Sequence, residues 1–238
     1  MNSALLQVSD IHTYYGDSHI LQGVSLEVYP GEIVVLVGRH GAGKTTTLLS
    51  IMGIQPPSQG SILFQNQELA GLPCWTIAHR GMGLVPENRR LFPELTVQEN
   101  LEVASKATQK GYNLETAYAD FPELIDLRHR QARHLSGGQQ QMLTIARTLM
   151  GNPRMLLMDE PTEGLAPILV QRTAEILQRL VSRRYTLLIT GQNIAFALGL
   201  AHRVYIIDVG KIKWSGTIEQ LRSNSEILLR YLAISQQD

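Results

Sequence analysis

Short runs of apolar residues alternate along the chain with longer segments whose apolar positions recur at helical spacing. Two runs, Ile33–Val37 and Met155–Met158, contain no polar residue and have the length of a strand. The run Ile33–Val37 is typical of a parallel strand buried on both faces. Further strands are predicted at residues 5–8, 24–29, 61–64, 82–85, 186–189, 204–207 and 211–214. Helices are predicted at residues 45–52, 97–106, 113–124, 138–150, 166–183 and 193–200. Because strands and helices alternate, the pattern predicts an α/β fold with a mostly parallel core sheet.

Two regions depart from this alternation. The first two predicted strands flank a Tyr-Tyr-Gly-Asp turn and are expected to pair antiparallel near the N-terminus. From about residue 88, helical and charged patterns broken by proline and glycine replace the strands. We therefore expect one domain, with a core formed by about 1–87 and 146–238 and an inserted helical subdomain at about 88–145.

Composition narrows the classes of function. The 238 residues contain 21 basic and 21 acidic side chains, so no net field attracts nucleic acid or anionic lipid. The local basic clusters, Arg89-Arg90 and residues 128–134, are too small and too poor in aromatic residues for a nucleic-acid surface. A single cysteine, Cys74, fits a reducing compartment. The sequence has no secretory signal and no apolar stretch of roughly 18 to 20 residues, so a membrane role is expected only through a partner.

A glycine-rich segment directly follows the first buried strand and matches the pattern G-x-x-x-x-G-K-[ST]. Its glycines allow successive backbone N–H groups to converge on phosphate oxygens, and the following helix adds its N-terminal dipole. A glycine-rich turn that binds nothing is the alternative, but the position between a buried strand and a helix favours phosphate binding. The predicted nucleotide-binding positions are Gly38, Arg39, His40, Gly41, Ala42, Gly43, Lys44, Thr45 and Thr46.

Within this segment, Lys44 is expected to place a cation between the β- and γ-phosphates of ATP, and the hydroxyl of Thr45 to ligate Mg²⁺. The strand at Met155–Met158 ends in two carboxylates. Asp159 is predicted to hold the Mg²⁺, directly or through water, and Glu160 to polarise the water that attacks the γ-phosphate. Solvated acids at a strand end are the alternative, which a phosphate-binding loop in the same chain makes unlikely.

The segment Leu135-Ser136-Gly137-Gly138-Gln139 opens a predicted helix, where free amides form a second anion site. A helix start capped by serine accounts for less of this pattern, because it explains neither the glycine pair nor its spacing. The segment resembles the signature motif of ABC ATPases, and it stands in the order along the chain that this family has. The resemblance implies the ABC-ATPase fold, ATP hydrolysis with Mg²⁺, and a second ATPase subunit. Ser136, Gly137, Gly138 and Gln139 would then contact ATP bound to that facing subunit.

The resemblance covers essentially the whole chain and implies further roles. Tyr15 occupies the place of the family's adenine-stacking aromatic residue. Glu87 stands where most members have the Q-loop glutamine, a ligand of Mg²⁺ or water, and is expected to be both catalytic and metal-binding. Gln192 stands where most members have a switch histidine. Its side-chain amide can donate a hydrogen bond but, unlike histidine, cannot take up a proton near neutral pH. Residues 163–167 correspond to the D-loop, which contacts the facing subunit.

More narrowly, residues 14–21, 85–93, 165–167 and Gln192 resemble LivF-type ATPase subunits of branched-chain amino-acid importers and of the related urea and short-chain amide systems. This resemblance implies that transmembrane permease subunits dock near residues 87–92. It also implies a second ATPase subunit, either a LivG-type paralogue or another copy of this chain. A solute-binding protein would act with the complex without contacting this chain directly. The chain would lie on the cytoplasmic face of a prokaryotic inner or plasma membrane.

Two positions depart even from this branch, His40 inside the phosphate loop and Thr190-Gly191 before Gln192. Together with Gln192, His40 leaves open a regulatory nucleotide binder that hydrolyses little ATP. A third alternative is a soluble ABC ATPase of DNA repair or translation. That class needs long coiled-coil insertions or two tandem ATPase halves, and neither fits in this chain.

Overall fold

The structure is a computed structural model that describes residues 3–105, 111–192, 194–224, 226–227 and 230. The strands of this described part are β1 (Leu6–Tyr15), β2 (Ser18–Val28), β3 (Ile33–Val37), β4 (Gln59–Phe64), β5 (Gln67–Glu68), β6 (Met82–Val85), β7 (Met155–Met158), β8 (Thr186–Gly191), β9 (Arg203–Asp208) and β10 (Lys211–Thr217). Its α-helices are α1 (Lys44–Ile51), α2 (Cys74–His79), α3 (Val97–Val103), α4 (Leu114–Asp120), α5 (Gly137–Met150), α6 (Pro167–Ser182), α7 (Ile194–Leu200) and α8 (Ile218–Ser223).

The larger sheet has the strand order β10-β9-β3-β8-β7-β6, in which only the edge strand β10 is antiparallel to its neighbour. Every residue of β3 and β7 is buried. The prediction that Ile33–Val37 forms a parallel strand buried on both faces is therefore confirmed, and Met155–Met158 forms a strand as predicted.

The smaller sheet, of order β2-β1-β4-β5, is antiparallel throughout, as expected near the N-terminus. Its first two strands are much longer than the predictions at 5–8 and 24–29. The pairing of β1 with β2 shifts register between Val8 and Ile11 and again between Thr13 and Tyr14. Each irregularity interrupts the alternation of buried and exposed positions along the strand. The strands predicted from this alternation are therefore shorter than the observed ones.

The parallel strands end at the same edge of the large sheet, and this edge positions the predicted site. The loop after β3 contains the glycine-rich segment, and the loop after β6 contains Glu87. Asp159 and Glu160 follow β7, and Gln192 follows β8. Residues from four distant parts of the chain thus converge on one edge.

Between β6 and α5 the chain is helical, as predicted. α3 begins with a capping box in which the Thr96 side chain accepts from the Glu99 amide and Glu99 accepts from the Thr96 amide. The buried side chains of Val97 and Phe121 belong to the same apolar cluster as Val35 of the sheet. The helices therefore share a core with the sheet, and the domain division at 88 and 145 stays a prediction.

The predicted helix at 113–124 ends earlier, at Asp120, and a short 3₁₀ helix, Pro122–Leu124, follows. Pro122 has no N–H group and restricts the residue before it, and Phe121 leaves the helical region with φ −127° and ψ 66°. α2, α8 and β5 were not predicted, because each has only two to six residues and too little periodicity. Residues 106 and 193 of two predicted helices lie outside the described residues.

Candidate nucleotide-hydrolysis site

The glycine-rich loop joins the end of β3 to the start of α1 with a backbone that needs glycine. Gly41 and Gly43 have φ of 74° and 107°, in the left-handed region that side chains disfavour. At Gly38 the reason is space, because a Cβ there would lie 2.4 Å from the carbonyl oxygen of Ile207 in β9. The loop therefore lies directly against the sheet, with the first turn of α1 opening from it.

Lys44 is the buried cation of this loop, with 4% of its surface exposed. Its Nζ donates to the carbonyl oxygens of Gly38 at 2.9 Å and Arg39 at 3.0 Å. The same ammonium group forms an ion pair with Glu160 Oε1 at 2.9 Å. The lysine thus connects the loop to the carboxylate that follows β7.

Thr45 and Asp159, both predicted to hold Mg²⁺, are in contact. The Thr45 hydroxyl donates to Asp159 Oδ1 at 3.1 Å. Asp159 is 4% exposed, and burial raises its pKa, while hydrogen bonds from Thr190 and Thr45 act in the opposite direction. A buried carboxylate beside a hydroxyl is a pair of hard oxygen donors, the chemistry that Mg²⁺ prefers.

Thr190 has a role that sequence reasoning missed. Its hydroxyl lies 2.7 Å from Asp159 Oδ1, to which it donates, and it accepts the backbone N–H of Glu160 at 2.9 Å. The residue was noticed only as a departure from the acidic residue usual before Gln192. The structure shows that this threonine connects the end of β8 to the carboxylate of Asp159 and to the backbone of Glu160.

Glu160 is held by three side chains. Its backbone has φ 45°, and its carboxylate accepts from Lys44 and, at 3.1 Å, from Gln192 Nε2. Burial would raise the pKa of Glu160, but hydrogen bonds from Glu163, Lys44 and Gln192 outweigh it, so the pKa lies below its ordinary value. The carboxylate is therefore ionised at neutral pH.

Glu163 also joins this cluster, although it was assigned only to the D-loop and to no site. Its hydrogen bond to Glu160, together with burial, raises the pKa of Glu163 to about 7. Protonated Glu163 donates to Glu160, so two neighbouring acids share one negative charge. Glu87 is exposed, and it lies close enough to act electrostatically on Glu163.

The serine-glycine-glycine segment forms the first turn of α5. Ser136 is the N-cap, accepting from the Gln139 amide at 3.3 Å while its own amide donates to Gln139 Oε1 at 2.9 Å. A Cβ on Gly138 would lie 2.4 Å from Leu169 Cδ1 at the start of α6. These hydrogen bonds stay within the turn, and the structure does not bring it onto the glycine-rich loop of the same chain.

The remaining predicted positions are more exposed. Tyr15, at the end of β1, is 45% exposed, whereas its neighbour Tyr14 stacks on His19 with ring centroids 4.2 Å apart. Arg39 and His40 are exposed on the glycine-rich loop, while Ala42 and Thr46 are buried beneath it. The structure thus joins Lys44, Thr45, Asp159, Glu160 and Gln192 in one cluster, and Tyr15 lies on the hairpin outside its hydrogen bonds.

Comparison with known proteins agrees with this geometry. The profile of the ABC transporter family matches residues 21–163. The high-affinity branched-chain amino acid transport ATP-binding protein BraG of Pseudomonas aeruginosa is 40% identical over 231 residues, covering 96% of this chain and 99% of BraG. LivG of Escherichia coli, with the same description, is 32% identical over 252 residues, covering 98% and 99%.

The lipopolysaccharide export system ATP-binding protein LptB of Haemophilus influenzae is 34% identical over 235 residues, covering 96% of this chain and 97% of LptB. Among solved structures, an ATP-binding cassette of an ABC transporter in its ADP conformation superposes with a TM-score of 0.83 at 26% identity. That match covers 99% of this chain and 100% of the solved chain.

In the described part of the chain, no helix is both long enough and apolar enough to cross a bilayer. The relatives are ATP-binding subunits of transport systems, and the cluster at the sheet edge contains the residues predicted to hydrolyse nucleotide. This chain therefore belongs to the ABC transporter family, as an ATP-binding cassette and ATPase that energises a transporter.

Proposed function

We propose that this chain is the LivF-type ATPase subunit of an importer for branched-chain or other amino acids, on the cytoplasmic face of a prokaryotic membrane. The observation that carries the proposal is the contact of Lys44 and Gln192 with Glu160. This contact brings together Lys44 as the cation that binds phosphate, Glu160 as the base that activates water, and Gln192 as the residue that contacts the γ-phosphate. They meet at the edge of the large sheet where the phosphates of ATP would lie. BraG and LivG, named for branched-chain amino acid transport, support the solute class.

The described residues fit Mg²⁺-ATP. Thr45 and Asp159 offer oxygen donors already in contact, and Glu87 adds a third from the neighbouring loop. Mg²⁺, when bound, would neutralise charge on the β- and γ-phosphates. Backbone amides of residues 38–46 would surround the phosphates, and Tyr15 is exposed where an adenine ring can stack on it.

Hydrolysis then requires Glu160 to change partners. In the structure its carboxylate is held by Lys44, whose ammonium group the phosphates would attract. Once released, Glu160 would accept a proton from the water whose oxygen bonds to the γ-phosphorus. The bond from the γ-phosphorus to the β–γ bridging oxygen would break, and ADP would leave with that oxygen. Gln192 would donate to the carboxylate or to the γ-phosphate. The amides of Ser136, Gly137, Gly138 and Gln139 of a facing subunit would complete the anion site, because those of the same chain do not reach the loop.

An apolar groove offers the site for the permease. It has a volume of about 410 Å³ and is lined by residues that include Met52, Ile54, Trp75, Leu84 and Arg147. Trp75 is 64% exposed, which is unusual for so large an apolar side chain without a partner. Arg147 also lies over the Phe92 ring, 5.5 Å from its centroid, so the groove borders residues 87–92. We assign the groove to a cytoplasmic helix of a permease subunit, whose apolar face would cover Trp75.

Transporters of other solutes use the same ATP-hydrolysis chemistry. LptB shows that relatives of similar identity serve export of lipopolysaccharide, and the urea and short-chain amide importers remain the alternative within the LivF-type branch. The solute contacts lie in other subunits, so the test must include them. Candidate permeases, the paralogous ATPase and the solute-binding protein would be sought among the neighbouring genes.

The decisive experiment reconstitutes this chain with those subunits in lipid vesicles and measures ATP hydrolysis with the binding protein loaded by leucine, urea or no solute. We expect stimulation by leucine, accompanied by its uptake. Stimulation by urea alone would replace the solute assignment. Hydrolysis that never responds to a permease would contradict the transport role.

A further inference from the structure

We propose that Arg89 is a positioning residue that joins the permease-facing loop, residues 87–92, to the first turn of α5, where the motif Ser136–Gln139 lies. The inference deepens the proposed function and rests on it, because it assigns to one side chain the connection between the docking groove and the motif.

The backbone of this loop is strained at two consecutive residues. Arg89 and Arg90 have φ of 60° and 45°, in the left-handed region that residues with a Cβ disfavour. Such a conformation persists only where its surroundings hold it. For Arg89 the holding groups are on α5, because its carbonyl oxygen accepts from Arg147 Nη2 at 3.1 Å and lies 3.4 Å from the Thr144 hydroxyl.

The side chain of Arg89 continues along the same helix towards its first turn. Nη1 donates to Gln140 Oε1 at 3.3 Å, and the guanidinium group lies beside Gly137, where a Cβ would be 3.5 Å from Nη2. Gln140 in turn donates to the carbonyl oxygen of Ala132 at 3.2 Å. The Nε of Arg89 is buried and has no hydrogen-bond partner among the described residues. The Nε edge of the guanidinium is thus buried against α5, while the residue as a whole is half-buried.

The other end of this network faces the groove. Arg147 lines the groove, lies over Phe92 and donates to the Arg89 carbonyl oxygen. A helix that enters the groove and moves Arg147 or Phe92 would therefore displace Arg89. Because Arg89 holds Gln140, that displacement would reach the amides of Gly137 and Gly138, which the facing subunit needs for its ATP.

Arg90 provides a matched control within the same loop. It has the same residue type, charge and left-handed backbone, but its side chain is exposed and its Nε donates to Asn88 Oδ1 at 3.2 Å, inside the loop. Replacing either arginine by alanine removes one charge from a left-handed position. Only the Arg89 substitution removes the contact with α5.

The test compares Arg89→Ala, Arg90→Ala and Gln140→Ala in the full chain by hydrogen exchange and mass spectrometry of a peptide spanning residues 136–142. Loss of a hydrogen bond to a charged group should accelerate exchange there on the order of tenfold in Arg89→Ala and Gln140→Ala. Arg90→Ala should exchange as wild type. Adding Arg89→Ala to Gln140→Ala should accelerate exchange little beyond Gln140→Ala alone, since that variant already lacks the Arg89–Gln140 contact as well as the bond to Ala132.

Kinetics separate positioning from general damage. Arg89→Ala should lower kcat for ATP hydrolysis by about tenfold and leave the ATP affinity of the single chain within about twofold, because its own phosphate loop is untouched. Equal exchange and equal kcat in Arg89→Ala and Arg90→Ala would overturn the inference. If Arg89→Ala does not fold, the Gln140→Ala comparison decides by the same criterion. Absence of hydrolysis in the wild type with permeases present would contradict the proposed function instead, and the exchange comparison, which needs no hydrolysis, still decides on Arg89.

Discussion

Glu160 and Lys44 form a buried ion pair, with Oε1 2.9 Å from Nζ and with 8% and 3% of the two side chains exposed. The group predicted to activate water is therefore held by the group predicted to bind phosphate. Removing one partner of such a buried pair costs free energy because it leaves the other charge unpaired. An incoming polyphosphate avoids this cost, since it replaces the carboxylate as the partner of the lysine. We therefore expect ATP binding to release Glu160 from Lys44.

Glu160→Gln tests this relationship most directly. The amide keeps the shape but cannot accept a proton from water, so hydrolysis should fall by about 10²- to 10⁴-fold. ATP binding should be retained, because Lys44 no longer has to leave a carboxylate. Steady-state hydrolysis and equilibrium binding of a fluorescent ATP analogue measure the two effects. Glu115→Gln, an exposed substitution on α4, is the control, and normal hydrolysis in Glu160→Gln would refute the base assignment.

Thr190→Val should destabilise the nucleotide-free chain. It removes the hydroxyl that bonds Asp159 and the Glu160 amide, and leaves two buried polar groups short of a partner at a cost of about 1–3 kcal/mol. Urea unfolding measures the loss. The buried control Thr173→Val removes only a bond to the Leu169 carbonyl within α6 and should cost less. Equal losses would show that the Thr190 hydroxyl contributes no more to the free energy of unfolding than the Thr173 hydroxyl does.

Glu163 should make stability depend on pH. Its folded pKa of about 7 lies above the ordinary value of 4.5, so the folded state retains a proton that the unfolded state loses. Its contribution is fully present below about pH 4.5 and disappears as the pH rises to about 7. Glu160, whose pKa is lowered, contributes with the opposite sign, losing stability as the pH falls. Melting temperatures from pH 4.5 to 7.5 should decline less steeply in Glu163→Gln than in wild type, and parallel curves would contradict the assignment.

Gly38→Ala should impair nucleotide binding more than Gly191→Ala. The added Cβ at Gly38 would overlap the Ile207 carbonyl oxygen, a backbone atom that moves only with β9, and so displace the loop. At Gly191, which accepts the Gly38 amide through its own carbonyl, nothing lies within 4 Å of a Cβ and φ is not positive. We expect ATP affinity to fall at least tenfold in the first variant, the equivalent of about 1.4 kcal/mol, and to stay near wild type in the second. Equal affinities would show that the loop tolerates the shift.

Much of the fold was predictable because its cause is local. The apolar runs of β3 and β7 have the length and composition of strands, and the glycines and lysine of the phosphate loop act through consecutive backbone positions. The end of α4 was missed by four residues although its cause, Pro122, is visible in the sequence, because the apolar spacing continued past it. The long hairpin of β1 and β2 was missed because its register shifts depend on the partner strand.

The residues of the candidate site were likewise predictable only where a local motif contains them. Sequence alone determined the positions of Lys44, Thr45, Asp159 and Glu160, since each belongs to a short motif whose chemistry is readable at fixed spacing. Only the tertiary structure decided that Lys44 holds Glu160, that Thr190 bonds the Asp159 carboxylate and the Glu160 amide, that Glu163 shares a proton with Glu160 and that Arg89 lies against Gly137. The physical reason is that these contacts join residues on different loops, and their distances follow from sheet order and helix packing, which no local pattern encodes.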